Sequence, residues 1–219
     1  MKNAVIVSGG NINRDFALDF LKKNKTEDTC LIAADRGLEF FEETGLIPDA
    51  AVGDFDSLSQ KGQRFLETLE RTEVIRLLPE KDDSDTQSAA CFAMERGAKK
   101  IAILGATGKR MDHLLANLGL LVLGEQRGTE ITLVDPWNCM KLVRSGTILK
   151  KSEQFGKYVS FFSMEGDVPG LTLTGFKYPL KRHYLRASDS GLTVSNEIVE
   201  ENALVEFDRG TLLMLMTRD

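Results

Sequence analysis

From the N-terminus to residue 125, short apolar runs alternate with amphipathic stretches. The runs at residues 4–7, 30–34, 50–52, 74–77 and 101–104 show no polar alternation. They predict strands buried on both faces, as in a parallel sheet. Residues 14–23, 37–44, 63–68, 84–96 and 112–125 lie between and around them with helical periodicity. Such a β/α/β succession, with right-handed crossovers, predicts an α/β domain with a mostly parallel sheet and Rossmann-like layering.

The period changes from Thr129 onward. Residues 129–134, 140–143, 158–164, 171–174, 191–195, 204–207 and 211–216 predict strands. Turn signals such as Glu165-Gly166-Asp167 and Val168-Pro169-Gly170 punctuate them, and no long helix fits. Closely spaced strands of this kind predict an all-β sandwich or small barrel. The expected domains are therefore an α/β domain over 1–130 and a β domain over 131–219, with no repeat and no low-complexity linker.

Composition narrows the function more than the fold. With 219 residues, 42% apolar and 28% charged, the chain can bury one large core or two modest ones. A net charge of −5 and a pI near 5.3 provide no basic field for nucleic acid or a membrane surface. A polyanionic substrate must then be held by local groups or metal ions. No apolar run approaches the ~18–20 residues that span a bilayer. The N-terminus lacks a long apolar core and a cleavage site. Cys30, Cys91 and Cys139 are odd in number and widely spaced, which points to reduced thiols and a cytoplasmic location. Two histidines, His113 and His183, are too few for a histidine-rich metal site.

The placement of aspartates is the strongest chemical signal. Asp35 follows the run ending at Ala34, and Asp54 and Asp56 follow the run ending at Val52 through Gly53. Ligands of open α/β sheets bind beyond the carboxyl ends of the strands, so these three are expected at one edge. An extended Asp54-Phe55-Asp56 would point both carboxylates to one side and Phe55 to the other. Carboxylates gathered in this way repel unless a cation lies among them, and Mg²⁺, which takes oxygen ligands and bridges to phosphates, suits that role. An Asp before Ser also serves turns and helix caps, so Asp56-Ser57 has that second reading.

A further acidic cluster, Lys81-Asp82-Asp83-Ser84-Asp85-Thr86, precedes a helical stretch. Spacing of i,i+3 would set Asp82 and Asp85 on one helical face, and Lys81 could offer a point charge to phosphate. The macrodipole favours acids in a first turn in any case. Gly105-Ala106-Thr107-Gly108-Lys109-Arg110 follows a predicted strand and has the makings of a phosphate-cradling loop, though without Walker A spacing. Ser8-Gly9-Gly10-Asn11 is a similar turn. His113, beside Asp112, reads as a general base or as a helix-start residue making a structural bond.

Taken in order, Ala34-Asp35-Arg36-Gly37, Pro48-Asp49, Gly53-Asp54-Phe55-Asp56-Ser57, Lys81-Asp82-Asp83-Ser84-Asp85 and Gly105 through His113 resemble the thiamine pyrophosphokinase family. Gly175-Phe176-Lys177-Tyr178-Pro179-Leu180 and Val194-Ser195-Asn196-Glu197 resemble its C-terminal motifs, so the likeness spans nearly the whole chain. The resemblance implies an α/β nucleotide-binding domain, a β-sandwich that binds thiamine, and a homodimer. Its active site would lie where the α/β domain of one subunit faces the β domain of the other. The family's metal and catalytic aspartates carry over to Asp35, Asp54, Asp56 and Asp85, with Asp82 close by. ATP contacts carry over to Arg110 and Asp112, with Asp35, Lys81, Asp82 and Thr107 also expected at the nucleotide, and thiamine contacts carry over to Ser195 and Asn196. Arg36 and Lys109 stand where many relatives have glycine. Ile198 stands near a position where some carry an aromatic residue that stacks on thiamine. Trp137, the only tryptophan, is expected to pack at the domain boundary.

The reaction implied is attack by thiamine's hydroxyl on the β-phosphorus of ATP, with AMP leaving. Catalysis of such a transfer is mostly positioning and charge neutralisation. Asp54, Asp56 and Asp85 are the expected catalytic carboxylates. Two other readings fit the same layout: a pyrophosphokinase acting on another alcohol such as a pterin, and a thiamine- or nucleotide-binding regulator without turnover.

Overall fold

The computed structural model describes every residue of the chain except Pro79, Lys81, Lys109 and Ser190. Six strands of the first half form a parallel sheet: β1 (Asn3–Val7), β2 (Thr29–Ala34), β3 (Ala50–Gly53), β4 (Glu73–Arg76), β5 (Lys100–Leu104) and β6 (Glu130–Val134). Their spatial order is β6-β5-β1-β2-β3-β4. Five helices alternate with them: α1 (Arg14–Asn24), α2 (Leu38–Thr44), α3 (Gln60–Glu67), α4 (Asp85–Glu95) and α5 (Met111–Gln126). Strand order reverses at β1, whose neighbours are β2 and β5, and such a reversal opens a crevice beyond the strand ends. Ile6, Val7, Ile32, Ala33 and Ile103 are wholly buried, as runs without polar alternation require.

Two expectations change. The run 74–77 was read as buried on both faces, yet β4 is an edge strand with Val74 36% exposed. Residues 130–134 were read with the second half, but β6 pairs in parallel with β5 from Lys100↔Glu130 to Leu104↔Val134. Its apolar run had the both-faces-buried pattern of a parallel strand, and only its position in the chain argued otherwise.

Helix starts follow local chemistry. Asn13, Ser59 and Ser84 each accept a backbone N–H of the first turn through a side-chain oxygen, capping α1, α3 and α4. α4 packs on β2 and β3 and begins at Asp85, so its cap also sets where that carboxylate stands. Ser84→Ala is expected to cost about 1 kcal/mol. It should appear as a lower urea midpoint at unchanged m-value.

The chain divides into two compact units, Met1–Pro136 and Trp137–Asp219. The second unit contains β7 (Asn138–Val143), β8 (Thr147–Lys150), β9 (Tyr158–Ser163), β10 (Val168–Thr174), β11 (Leu180–Leu185), β12 (Asn196–Glu197), β13 (Asn202–Glu206) and β14 (Leu212–Thr217). They form two antiparallel layers, β12-β9-β14-β7 and β11-β10-β13-β8. Val159, Phe161, Leu171, Phe176, Val205 and Met214 are among the side chains that fill one shared core. Phe161 and Phe176 meet edge to face at 5.8 Å. The sandwich form, rather than a barrel, is the one observed.

Residues 191–195, expected as a strand, form a turn instead, with Ser195 at φ +58°. Trp137, expected to be packed, is 54% exposed. The three cysteines are free, and burial pushes the Cys30 thiol up to about 11, so it stays protonated at neutral pH. Among the described residues no helix is long and apolar enough to cross a membrane.

Candidate active site

The carboxyl ends of five neighbouring strands carry the polar groups. Ser8 follows β1, Asp35 follows β2, Asp54 follows β3, Gly105 follows β5 and Asp135 follows β6. Parallel pairing with aligned ends (Ala34↔Val52, Val7↔Leu104) brings them to one edge. At the reversal point the two glycine-rich turns touch: the Gly10 N–H donates to the Gly105 carbonyl at 3.0 Å. A Cβ at Gly10 would come within 2.2 Å of that carbonyl oxygen, so only glycine permits the approach.

Carboxylate oxygens of Asp35, Asp54 and Asp56 lie within 4.8 Å of one another. The way they converge differs from the expected extended strand. Phe55 is 4% exposed and takes φ +62°, and the Asp56 N–H donates to Asp54 Oδ1 at 3.2 Å. Burying the ring, which lies 5.5 Å from the Arg76 guanidinium, turns the chain through a left-handed residue. The two acids thus converge through an Asx-type turn rather than through the period of a strand.

Asp35 itself is held at φ +46° at the start of a 3-10 turn, Asp35–Gly37. Ser57 Oγ donates to Asp35 Oδ2 at 2.6 Å, while Asp35 Oδ1 is buried and, among the described residues, has no hydrogen-bond partner. Burial raises its pKa above the ordinary value, and the charges of Asp85 and Asp54 push in the same direction. Ser57 and a backbone N–H only partly oppose this. For two half-buried carboxylates about 5 Å apart, repulsion is roughly 3 kcal/mol at an effective dielectric near 20. A buried oxygen without a donor, in a group of hard oxygen ligands, is the environment that a small divalent cation fits.

A folded state that favours the protonated acid is stabilised below the ordinary value near 3.8. It loses that contribution as pH rises through the raised one. Without divalent cation at pH 7, Asp35→Asn is therefore expected to melt higher than wild type, with the difference fading as pH falls towards 4. Asparagine also tolerates the left-handed backbone. Melting curves from pH 4 to 8 test this, and a wild type that melts as high as the variant at pH 7 contradicts it.

The other expected residues are distributed as follows. Asp85 opens α4, and its charge reaches Asp35. Asp82 is exposed and precedes the helix, so it does not share a helical face with Asp85: the cap at Ser84 starts the helix after it. Lys81 lies outside the described residues. Thr107 donates through Oγ1 to Asp135 Oδ2 at 2.7 Å. Arg110 and Asp112 are both exposed and pair with each other, with Nε to Oδ1 at 3.1 Å. The Arg110 guanidinium and the His113 N–H hold the Asp112 carboxyl down at about 2.

In the second unit Ser195 is exposed and Asn196 is 3% exposed. Asn196 donates through Nδ2 to the Tyr178 carbonyl at 2.8 Å and accepts the Tyr178 N–H at 2.9 Å. It therefore braces the chain at Tyr178. Ile198 is buried in the sandwich core and bridges Phe176. Tyr178, Leu192 and Val194 are exposed apolar side chains in the same two segments.

Sequence reasoning missed five supporting side chains. Ser57 holds Asp35, and Ser8 Oγ meets Thr86 Oγ1 at 2.6 Å, tying the first glycine-rich turn to α4. Asp135 holds Thr107, and Asn117 Nδ2 donates to the Ala106 carbonyl at 2.8 Å, so both brace the loop over residues 105–110. Asp135 carried a usable signal, since it follows an apolar run just as Asp35 does.

A family profile described as the thiamin pyrophosphokinase catalytic domain matches residues 21–133, and one described as its vitamin B1 binding domain matches residues 146–212. The thiamine pyrophosphokinase of Bacillus subtilis is 33% identical over 219 residues, covering all of both chains. The chain belongs to the thiamin pyrophosphokinase family. The crystal structure of the Bacillus subtilis enzyme superposes with a TM-score of 0.89 over all of both chains, at 33% identity. That of the thiamin pyrophosphokinase from Geobacillus thermodenitrificans gives 0.84 at 32% identity, covering 99% of this chain and 98% of that one. Within the family's catalytic segment fall the three clustered aspartates, Asp85 and the glycine-rich loop after β5; Ser195 and Asn196 fall within its vitamin-binding segment.

Proposed function

We propose that the chain transfers pyrophosphate from ATP to thiamine at a divalent-cation site built on Asp35, Asp54 and Asp56, with Asp85 beside it. Pyrophosphate transfer to thiamine, with ATP as co-substrate, is the activity of the family to which the chain belongs. The observation that carries the site assignment is the approach of three carboxylates within 4.8 Å, one with a buried oxygen that no donor among the described residues satisfies. A bound Mg²⁺ would neutralise phosphate charge there.

The chain's own residues position the reactants. The two glycine-rich turns lie at the edge where the strand order reverses, and turns of this kind can cradle the phosphates of ATP. Asp135 and Asn117 keep the second turn in place. Thiamine's hydroxyl oxygen forms a bond to the β-phosphorus, the bond from that phosphorus to the α-phosphate oxygen breaks, and AMP leaves with the electron pair. The hydroxyl proton passes to one of the edge carboxylates, Asp56 or Asp85. Lys81, Thr107, Arg110, Asp112 and Asp82 are assigned to the nucleotide. Ser195 is assigned to thiamine, with Asn196 shaping the segment that presents it and Tyr178, Leu192 and Val194 supplying apolar surface nearby.

The division of labour follows the two units: residues 1–136 handle the nucleotide and residues 137–219 handle thiamine. The family resemblance supports a cytoplasmic homodimer in which the thiamine segment of one subunit serves the phosphate site of the other. Mixing two inactive variants, one altered in each segment, would restore activity only in that arrangement.

Mass-resolved product analysis with ATP, Mg²⁺ and thiamine tests the reaction. Thiamine diphosphate and AMP in equal amounts are expected. ADP with thiamine monophosphate would mean a simple kinase, and a pterin alcohol outcompeting thiamine would shift the acceptor. Tight ATP binding without AMP release would identify a regulator.

A further inference from the structure

Arg36 stands at the same edge as the clustered aspartates, directly after Asp35. Its Nε donates to Glu39 Oε2 at 2.9 Å, and Glu39 Oε1 in turn accepts the Ser59 N–H at 2.9 Å. Burial pushes the Glu39 carboxyl up, but the Ser59 N–H and Arg36 outweigh it and hold the group below its ordinary range, so it stays ionised. The guanidinium is thereby fixed at one nitrogen. Among the described residues, Nε is the only Arg36 atom that makes a side-chain hydrogen bond. Both terminal nitrogens remain available, and the side chain is 60% exposed.

The backbone places this cation against the glycine-rich turn after β1. A Cβ built on Gly9 would meet Arg36 Cβ at 2.9 Å, so the two chains are in contact there. Asp35 is close enough that its charge acts on the guanidinium. Arg36 is thus flanked by the carboxylate cluster and by the turn whose next residue, Gly10, bonds to the loop after β5. A surface arginine that served only its ion pair would gain little from this position, since exposed pairs contribute roughly 0–1 kcal/mol. A planar fork held by its Nε, with two free N–H₂ groups at a strand-end crevice, is suited to bidentate recognition of phosphate.

We propose that Arg36 is a phosphate-binding residue that grips the polyphosphate of the nucleoside triphosphate, with Glu39 and Ser59 setting its orientation. This rests on the reading of the site as an ATP site. The contact is to phosphate oxygens, so it serves binding of the nucleotide and leaves the affinity for thiamine unchanged.

Equilibrium titration of wild type, Arg36→Ala, Arg36→Lys and Arg36→Gln with ATP and Mg²⁺, without thiamine, tests it. Arg36→Ala is expected to weaken ATP binding about tenfold, the usual size for a lost charge-assisted contact. Arg36→Lys should fall between, and AMP, which lacks the polyphosphate, should bind alike to all four. Arg36→Gln keeps a donor for Glu39 at the position of Nε but drops the charge and both terminal nitrogens, so it separates phosphate contact from bracing of the loop. ATP affinity within twofold of wild type in Arg36→Gln, at unchanged Tm, would overturn the proposal. So would a rise in the KM for thiamine equal to that for ATP. A wild type that binds ATP but makes no thiamine diphosphate would count against the proposed reaction alone, and the titrations would still decide the role of Arg36. A wild type that binds no ATP would refute both.

Discussion

Asp54→Ala is expected to lower kcat for thiamine diphosphate formation by about a thousandfold or more while leaving the protein folded. Asp54 leaves β3 directly beside Asp35, because Gly53 allows the two backbones to approach: a Cβ at residue 53 would lie 2.9 Å from the Asp35 Cα. Its carboxylate is one of three that share a space 4.8 Å across. A cation held there by Asp35, Asp54 and Asp56 would neutralise charge on the transferring group, an effect worth several kcal/mol, and about 4 kcal/mol corresponds to a thousandfold. Fold and chemistry are separable in this variant. Removing one of three mutually repelling acids relieves the metal-free protein, so its Tm should hold or rise. Raising Mg²⁺ should recover part of the lost activity, and Asp54→Asn, which keeps the shape but not the charge, should behave much like alanine. Steady-state kinetics across a Mg²⁺ series are the measurement. Activity within tenfold of wild type at low Mg²⁺ would remove Asp54 from the cation site.

Gly37→Ala should be the most destabilising single-methyl change near the site, at about 3 kcal/mol or more. Helix propensity alone argues the other way. Gly37 has φ −57° and ψ −17°, a conformation in which alanine is normally favoured by about 1 kcal/mol. Packing reverses the sign. A Cβ there would lie 1.9 Å from the Val7 carbonyl oxygen and 2.6 Å from the Val7 carbonyl carbon, both backbone atoms of β1. Neither can rotate away as a side chain would, so the turn Asp35–Gly37 must lift from the strand and take the Asp35 carboxylate with it. Guanidinium unfolding and activity should therefore fall together. Gly45→Ala is the control: its φ of +69° imposes backbone strain of about 1–2 kcal/mol, but nothing lies within 4 Å of the new methyl. If Gly37→Ala is as stable as wild type, the close approach of turn and strand is wrong.

The element pattern was legible wherever burial was uniform. The five apolar runs of the first half, with their intervening helices, match β1 to β5 and α1 to α5 to within a few residues, because a strand covered on both faces and an amphipathic helix each leave a distinct period, and the edge strand β4 keeps an apolar run without such cover. The edges of the sandwich were not legible. β8 and β11 flank one sheet of the sandwich and were not anticipated, since an edge strand needs few apolar residues: β11 reads Leu180-Lys181-Arg182-His183-Tyr184-Leu185, and Ile148 of β8 is 64% exposed. β12, with two residues, is shorter than any periodicity can register.

For the site, residue order along the chain was enough to place Asp35 and Asp54 at neighbouring strand ends, because parallel strands joined by right-handed crossovers leave little choice of edge. How close those acids come was decided in three dimensions. It depends on the buried ring of Phe55 turning Asp56 back, on Gly53 admitting Asp35, and on Ser57, two residues beyond Phe55, reaching that same carboxylate. The supporting contacts Ser8–Thr86 and Thr107–Asp135 join residues 78 and 28 positions apart. A side-chain hydrogen bond is specified by a few ångströms of separation and leaves no period in the chain, so the bracing of this site existed only once the strands had been set side by side.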